Sequence, residues 1–213
     1  MITQRQPLSL LILAGGKSTR MGQDKAWLML DGRPLVMRVI DRVLPLVDEV
    51  IVSTNQPDAF DAWLPKLTLP AYTVADHHRS IGPLAGLHAG LLAARFDLVL
   101  ALATDMPFVS PALIRYLAQL ATAANVDAVV PQVPNAETGQ VGLEPLHAIY
   151  RKSCLPAIDG CLEAGHRRVI SFLDRVRLRV VSPEEIRPHD PLFRSFANVN
   201  TPQDWSDAQR MGH

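Results

Sequence analysis

Short apolar runs alternating with helix-like stretches are the feature that most restricts what this chain can fold into. The runs are Leu8–Leu13, Glu49–Thr54, Ala71–Val74, Leu98–Ala103, Ala128–Val130, Pro145–Ile149 and Leu178–Val181. Helix-like stretches occupy Leu35–Leu46, Pro83–Ala94, Pro111–Ala124, Lys152–Ala164, Val169–Arg175 and Pro202–Arg210. Strands that are apolar almost throughout are buried on both faces, which happens when helices cover a largely parallel sheet from either side. The expectation is an α/β fold in a single domain, with a mainly parallel sheet flanked by helices on both faces. At 213 residues such a domain buries about 70% of its unfolded surface. No internal repeat, low-complexity tract or linker divides the chain. Pro131–Leu143 and the proline-rich Ser182–Phe196 read as long loops, and loops of that length often carry function. Open α/β sheets bind ligands outside the carboxyl ends of their strands, so the residues after each run are the ones to read for chemistry.

Charge and composition narrow the classes. Lys plus Arg and Asp plus Glu both number 21, a formal net charge of zero, whereas a nucleic-acid binder normally carries a basic excess. The apolar runs are far shorter than the ~20 residues of a membrane span. Met1–Pro7 is polar and has no apolar signal core. Cys154 and Cys161 have no partner Cys or His at zinc-site spacing, so both are expected reduced and structural. These features predict a cytoplasmic protein with no membrane and no nucleic-acid partner.

The first apolar run ends in Ala14-Gly15-Gly16-Lys17-Ser18-Thr19-Arg20-Met21-Gly22-Gln23-Asp24-Lys25. Adjacent glycines let backbone N–H groups approach a ligand closely, and together with Arg20 and Lys25 they suit a polyphosphate. The spacing is not that of a P-loop, because Gln23 follows Gly22, nor that of a dinucleotide fingerprint, because the two glycines are adjacent. It looks like the signature of nucleotidyltransferases, which load a nucleoside triphosphate and expel pyrophosphate.

Asp105 follows the run Leu98–Ala103 at its carboxyl end. A carboxylate there suits Mg²⁺, a hard cation that takes one or two carboxylates plus substrate phosphates. Ser110 before Pro111 already supplies the cap of the next helix. Asn55, after the second run, carries an amide that can read a base edge or a ribose. Asp76 follows the third run, and Gly82-Pro83 opens a helix with free N–H groups. Near the end, Asn198-Val199-Asn200 alternates polar and apolar, so an extended segment turns both amides one way and Val199 toward the core. Thr201-Pro202 then caps a helix.

LAGGKSTRMGQDKA, GPLAGL, TDMPF, EPLHAIY and NVNTPQDW occur in this order over nearly the whole chain. Together they resemble the molybdenum cofactor guanylyltransferases, which join GMP from GTP to molybdopterin. The resemblance implies a Rossmann-like nucleotidyltransferase fold, with a nucleotide half at about 8–110 and an acceptor half at about 111–205. It implies GTP contacts at Leu13, Ala14, Gly15, Lys25, Asn55, Asp76 and Asp105, with Mg²⁺ on Asp105. The Gly15 and Gly16 N–H groups complete the phosphate cradle, and Arg20 and Lys25 stabilise the departing pyrophosphate. Arg167, Arg168, Asn198 and Asn200 are the candidates for holding the acceptor. The implied substrates are GTP and molybdopterin, and molybdoenzymes or their maturation proteins are the implied partners. A cytidylyltransferase for the same cofactor, a guanylyltransferase for another phosphorylated small molecule and a non-catalytic nucleotide-binding regulator are the alternatives.

Overall fold

The structure is a computed structural model that describes residues 5–15, 25–75, 82–123, 125–134, 140–199 and 202–211. Its strands are β1 (Leu8–Leu13), β2 (Met29–Leu30), β3 (Arg33–Pro34), β4 (Glu49–Ser53), β5 (Ala71–Val74), β6 (Leu98–Ala103), β7 (Ala128–Pro134), β8 (Val141–Leu143), β9 (His147–Arg151) and β10 (Leu178–Val181). Its α-helices are α1 (Leu35–Val43), α2 (Pro83–Ala93), α3 (Pro111–Ala123), α4 (Leu155–Glu163), α5 (Pro183–Ile186) and α6 (Pro202–Met211). The main sheet runs β10-β7-β9-β6-β1-β4-β5, with β8 added to β7, while β2 and β3 form a separate ribbon. β1 pairs in parallel with both β4 and β6, β4 with β5, and β7 with β10. β9 lies antiparallel between β6 and β7. Its apolar pattern reveals a buried strand but carries no information about direction.

Alternate side chains of the central strands serve two separate cores, as a strand's period of two requires. Leu8, Leu10 and Ile12 of β1 join Val50, Val52, Leu100 and Leu102 under α1 and α3. Leu11 and Leu13 join Ile51, Val99, Ala101 and Tyr150 under α2 and α4. Helix α2 sits unusually close to β1. A Cβ at Gly90 would lie 2.3 Å from Leu11 Cδ2, and one at Gly86 would lie 2.9 Å from Leu13 Cδ2. Both thiols, Cys154 and Cys161, are free and buried in this second core. Burial pushes the Cys154 thiol up to about 12, which keeps it protonated and unreactive.

Two stretches expected to be loops are ordered instead. β7 continues to Pro134 and pairs antiparallel with β8 as a hairpin, so most of Pro131–Leu143 outside 135–139 is strand. Within Ser182–Phe196, Ser182 and Glu185 form a reciprocal capping box that starts α5, and a 3₁₀ turn spans Arg194–Phe196. Local hydrogen bonding there overrides what the prolines suggest. Val169–Arg175 is likewise a 3₁₀ helix. Ser110 does cap α3, its Oγ accepting from Leu113 N at 3.4 Å, whereas Thr201 lies outside the described residues. Among the described residues no helix is long and apolar enough to cross a membrane.

Candidate active site at the carboxyl edge of the sheet

Strands β1, β4 and β6 end side by side, and each releases one of the residues singled out by sequence. Leu13 is buried, Ala14 half-buried and Gly15 exposed. The Ala14 N–H donates to the Ser53 carbonyl at 2.9 Å, which ties the residues just after β1 to β4. A Cβ at Gly15 would meet no atom of the described residues within 4 Å. Packing among the described residues does not demand glycine there, and the open backbone suits the approach of a ligand. Lys25 is the first residue of a 3₁₀ turn that reaches Trp27. Trp27 packs on Phe60 at 4.9 Å between ring centroids and so anchors that turn. Gly16, Arg20, Asp76, Asn200 and the Lys25 side chain lie outside the described residues.

Asn55 is exposed just beyond β4. Thr54 before it is held by its N–H to the Val74 carbonyl at 3.0 Å, and its hydroxyl accepts from Gln56 N at 3.0 Å. Asp105, half-buried, stands in the turn after β6. Its carbonyl accepts from Val199 N at 2.9 Å. That bond carries the late segment back onto the middle of the sheet and sets exposed Asn198 beside Asp105, with Val199 buried. Asn198 and Asp105, 93 residues apart in sequence, thus share one edge.

Arg167 and Arg168 rest on a different element. Both are exposed, and the Arg167 carbonyl accepts from Leu84 N at 3.2 Å in the first turn of α2. Gly82, at φ +88, admits that carbonyl, which would lie 3.1 Å from a Cβ placed there. The arginines therefore flank the helix start opened by Gly82-Pro83, while Asn198 belongs to the segment tied to Asp105.

Sequence reasoning missed a second group at this edge. Glu144, just ahead of β9, is half-buried. Burial raises its carboxyl above the ordinary range, opposed by the Leu146 N–H and reinforced by the nearby charge of Asp105. Next to it opens a cavity of about 490 Å³ between the β7–β8 hairpin and the segment around Phe193 and Phe196. Phe193 has φ +52, a conformation rare for a bulky residue. Buried Asp190 sustains it, accepting from Arg194 N at 3.1 Å and Ser195 N at 2.8 Å. Phe196 also meets His147 at 4.8 Å between ring centroids. His147 is fully buried and neither ring nitrogen has a hydrogen-bond partner among the described residues. Burial pushes it down to about 3. The one available sequence signal was a charged Glu144 placed directly before an otherwise apolar segment.

Chemically, the edge offers open glycine backbone on one side, two neighbouring carboxylates in the middle and an aromatic-walled cavity on the other. Among the described residues no group of three or more His, Cys, Asp or Glu could hold a metal unaided.

The fold is that of the Rossmann-like nucleotidyltransferases. Over 96% of this chain it superposes on 98% of the molybdopterin-guanine dinucleotide biosynthesis protein A from Archaeoglobus fulgidus, at TM-score 0.78 and 26% identity. Residues 10–177 match the family model of the MobA-like NTP transferase domain, and the chain belongs to that family of nucleotidyltransferases. It is 34% identical to the molybdenum cofactor guanylyltransferase of Syntrophotalea carbinolica, over 96% of this chain and 91% of that one. A probable molybdenum cofactor guanylyltransferase of Pelotomaculum thermopropionicum is 38% identical, over 94% of this chain and 91% of its own length.

Proposed function

We propose that this protein transfers GMP from GTP to the terminal phosphate of molybdopterin, or of its molybdenum-loaded form, and releases pyrophosphate. The observation that carries the reading is likeness over more than nine-tenths of both chains to proteins bearing that activity in their names. An acceptor phosphate is already anionic near neutral pH and needs no nucleophilic side chain. One of its oxygens attacks the α-phosphorus of GTP, and the bond from that phosphorus to the β-phosphate bridge breaks. The protein's task is then to align the two phosphates and to stabilise charge on the leaving pyrophosphate.

In this reading the Gly15 and Gly16 N–H groups cradle the phosphates. Arg20 bonds two pyrophosphate oxygens at once, and Lys25 acts as a point charge. Asn55 and Asp76, with the backbone at Leu13 and Ala14, hold the nucleoside. Asn198, Asn200, Arg167 and Arg168 hold the acceptor. Asp105 is the ligand for Mg²⁺, and a site with so few protein carboxylates fits an ion that completes its shell from substrate phosphates and water. When bound, Mg²⁺ supplies charge neutralisation on the phosphates. The reading assigns the work to the cytoplasm and the product to molybdoenzymes or their maturation proteins.

The test is mass spectrometry of the product formed from molybdopterin with GTP, CTP and ATP in turn. A GMP adduct formed fastest with GTP is expected. A pocket that hydrogen-bonds the base leaves its own polar groups unpaired against the wrong one. Faster formation of a CMP adduct would move the protein to cytidylyl transfer, and no adduct at all would refute the reading.

A further inference from the structure

We propose that the cavity beside Asp105 seats the fused heterocycle of the acceptor, with Glu144 accepting the two parallel N–H donors of its aminopyrimidinone edge. The inference rests on the transfer reaction proposed above and specifies its acceptor subsite. Position is the first argument. The sheet order β7-β9-β6-β1-β4 puts Asp105, after β6, between the loops that follow β1 and β4 and the β7–β8 hairpin. A group-transfer site needs its two substrates on opposite sides of the transferred phosphorus. A base held at Asn55, after β4, is four strand spacings from β7, roughly 19 Å, so it does not occupy this cavity.

Shape and chemistry are the second argument. A volume of about 490 Å³ is within the ~300–1,000 Å³ of small-molecule pockets. Phe193 and Phe196 lie 6.4 Å apart between ring centroids, inclined at 37°, and with Val133 and Leu143 they give the cavity flat apolar walls. Glu144 is the only charged side chain among the described lining residues. An ionised carboxylate has two acceptor oxygens and no donor, and the only hydrogen bond to the Glu144 side chain among the described residues is a long one from Leu146 N, 3.4 Å. A 2-amino-4-oxopyrimidine ring offers a ring N–H and an amino N–H side by side, which a carboxylate accepts bidentately. Exposed Asn198 follows Ala197 of the cavity wall and flanks Asp105. A heterocycle in the cavity thus directs its phosphate tail toward the reacting centre.

The strained Phe193 supplies a third argument. A left-handed phenylalanine persists only where its surroundings impose it, and such residues cluster at ligand sites. Here Asp190 imposes it by capping the turn that presents both aromatic rings.

The experiment titrates 6-hydroxymethylpterin, and separately GTP, into the full-length protein, Glu144→Gln and Phe196→Leu, with thermal unfolding of each as the folding control. The Mg²⁺ requirement of GMP transfer is measured on the same proteins. Glu144→Gln is expected to weaken pterin binding at least about 10-fold, the scale of a lost charged hydrogen bond. GTP affinity and the Mg²⁺ requirement should stay within about two-fold. Phe196→Leu should weaken the pterin severalfold, and if that variant fails to fold, Glu144→Gln decides alone. Unchanged pterin binding in Glu144→Gln, or no binding to the wild type, overturns the proposal. A GTP affinity or Mg²⁺ requirement that worsens in step also overturns it, because Glu144 would then belong to the nucleotide and metal side. Glu144-dependent pterin binding in a protein that makes no dinucleotide product would instead refute the transfer reaction and leave the cavity's chemistry standing.

Discussion

Glu49 and Asp127, at the amino edge of the sheet, are buried and surrounded by donors, whereas Asp105 and Glu144, at the carboxyl edge, sit half-buried beside one another. Glu49 accepts from Ser9 Oγ at 2.6 Å, from Arg95 N at 2.7 Å and from the Tyr72 hydroxyl at 3.1 Å. Burial, with Glu49 alongside, pushes that phenol up to about 12. Asp127 accepts from Ser153 Oγ at 2.6 Å and from the Arg177 Nε and backbone N–H, both at 2.9 Å. The Arg177 guanidinium holds the Asp127 carboxyl well below the usual carboxylate range. Glu144 is shifted in the opposite direction, by burial first and then by Asp105. One edge spends its charges on fastening strands and loops together. The other sets the like charges of Asp105 and Glu144 near each other and buries His147 with no hydrogen-bond partner among the described residues.

The largest expected effect that would break this contrast is at the amino edge. Glu49→Ala strands the buried Ser9 hydroxyl and leaves the Arg95 N–H without its acceptor, and should destabilise the protein by about 3 kcal/mol. GMP transfer per folded molecule should be unchanged. Denaturant unfolding with a parallel activity assay checks both, and a loss of activity at full stability would mean that Glu49 serves the site. Asp105→Asn is the mirror experiment. Turnover should fall by at least ~100-fold, the scale of losing one electrostatic stabiliser, with thermal unfolding little moved. Near-wild-type turnover at limiting Mg²⁺ would remove Asp105 from the site.

A smaller effect tests the layer beneath the edge. Gly90→Ala should gain up to ~1 kcal/mol of helix propensity but drive a methyl into Leu11, which is fully buried and has nowhere to go. Overpacking of that kind costs about 1–3 kcal/mol, so a net loss of about 1 kcal/mol is expected in chemical denaturation, with GTP affinity retained. A stabilised variant would show that α2 can lift off β1.

His147 supplies the smallest effect, as a dependence on pH. Its folded value of about 3 lies below the ordinary 6.5, so the unfolded chain takes up a proton that the folded protein refuses. The stability tied to neutral His147 is complete above pH 6.5 and drains away as the pH falls toward 3. Between pH 6.5 and 5.5 the loss is about 1 kcal/mol. His147→Leu should flatten that part of the stability profile, and an unchanged profile would mean that His147 finds a proton acceptor in the fold.

Much of the fold was legible because burial on two faces writes itself into a strand as an unbroken apolar run. Leu8–Leu13, Ala71–Val74, Leu98–Ala103 and Leu178–Val181 are strands with the expected limits. The β7–β8 hairpin was not legible, since Val141-Gly142-Leu143 is short and has a glycine at its centre. Nor was the order within Ser182–Phe196, where the capping by Ser182 and Asp190 depends on donors that only the folded turn brings into reach. Within the candidate site, Gly15, Asn55 and Asp105 stand out in the sequence because each lies within two residues of the end of an apolar run. Glu144, Phe193 and Phe196 do not, because their common cavity joins segments about 50 residues apart.

By itself, then, the sequence determined most strands of the main sheet, its longer helices and the polar residues that stand at strand ends, because these depend on local periodicity and on chain order. It determined the family as well, through motifs whose spacing is itself local. Tertiary structure decided the antiparallel insertion of β9, the return of Val199 onto Asp105, the approach of Glu144 to that carboxylate and the cavity alongside. Each of those depends on pairings between distant segments, whose free energy resides in the assembled sheet.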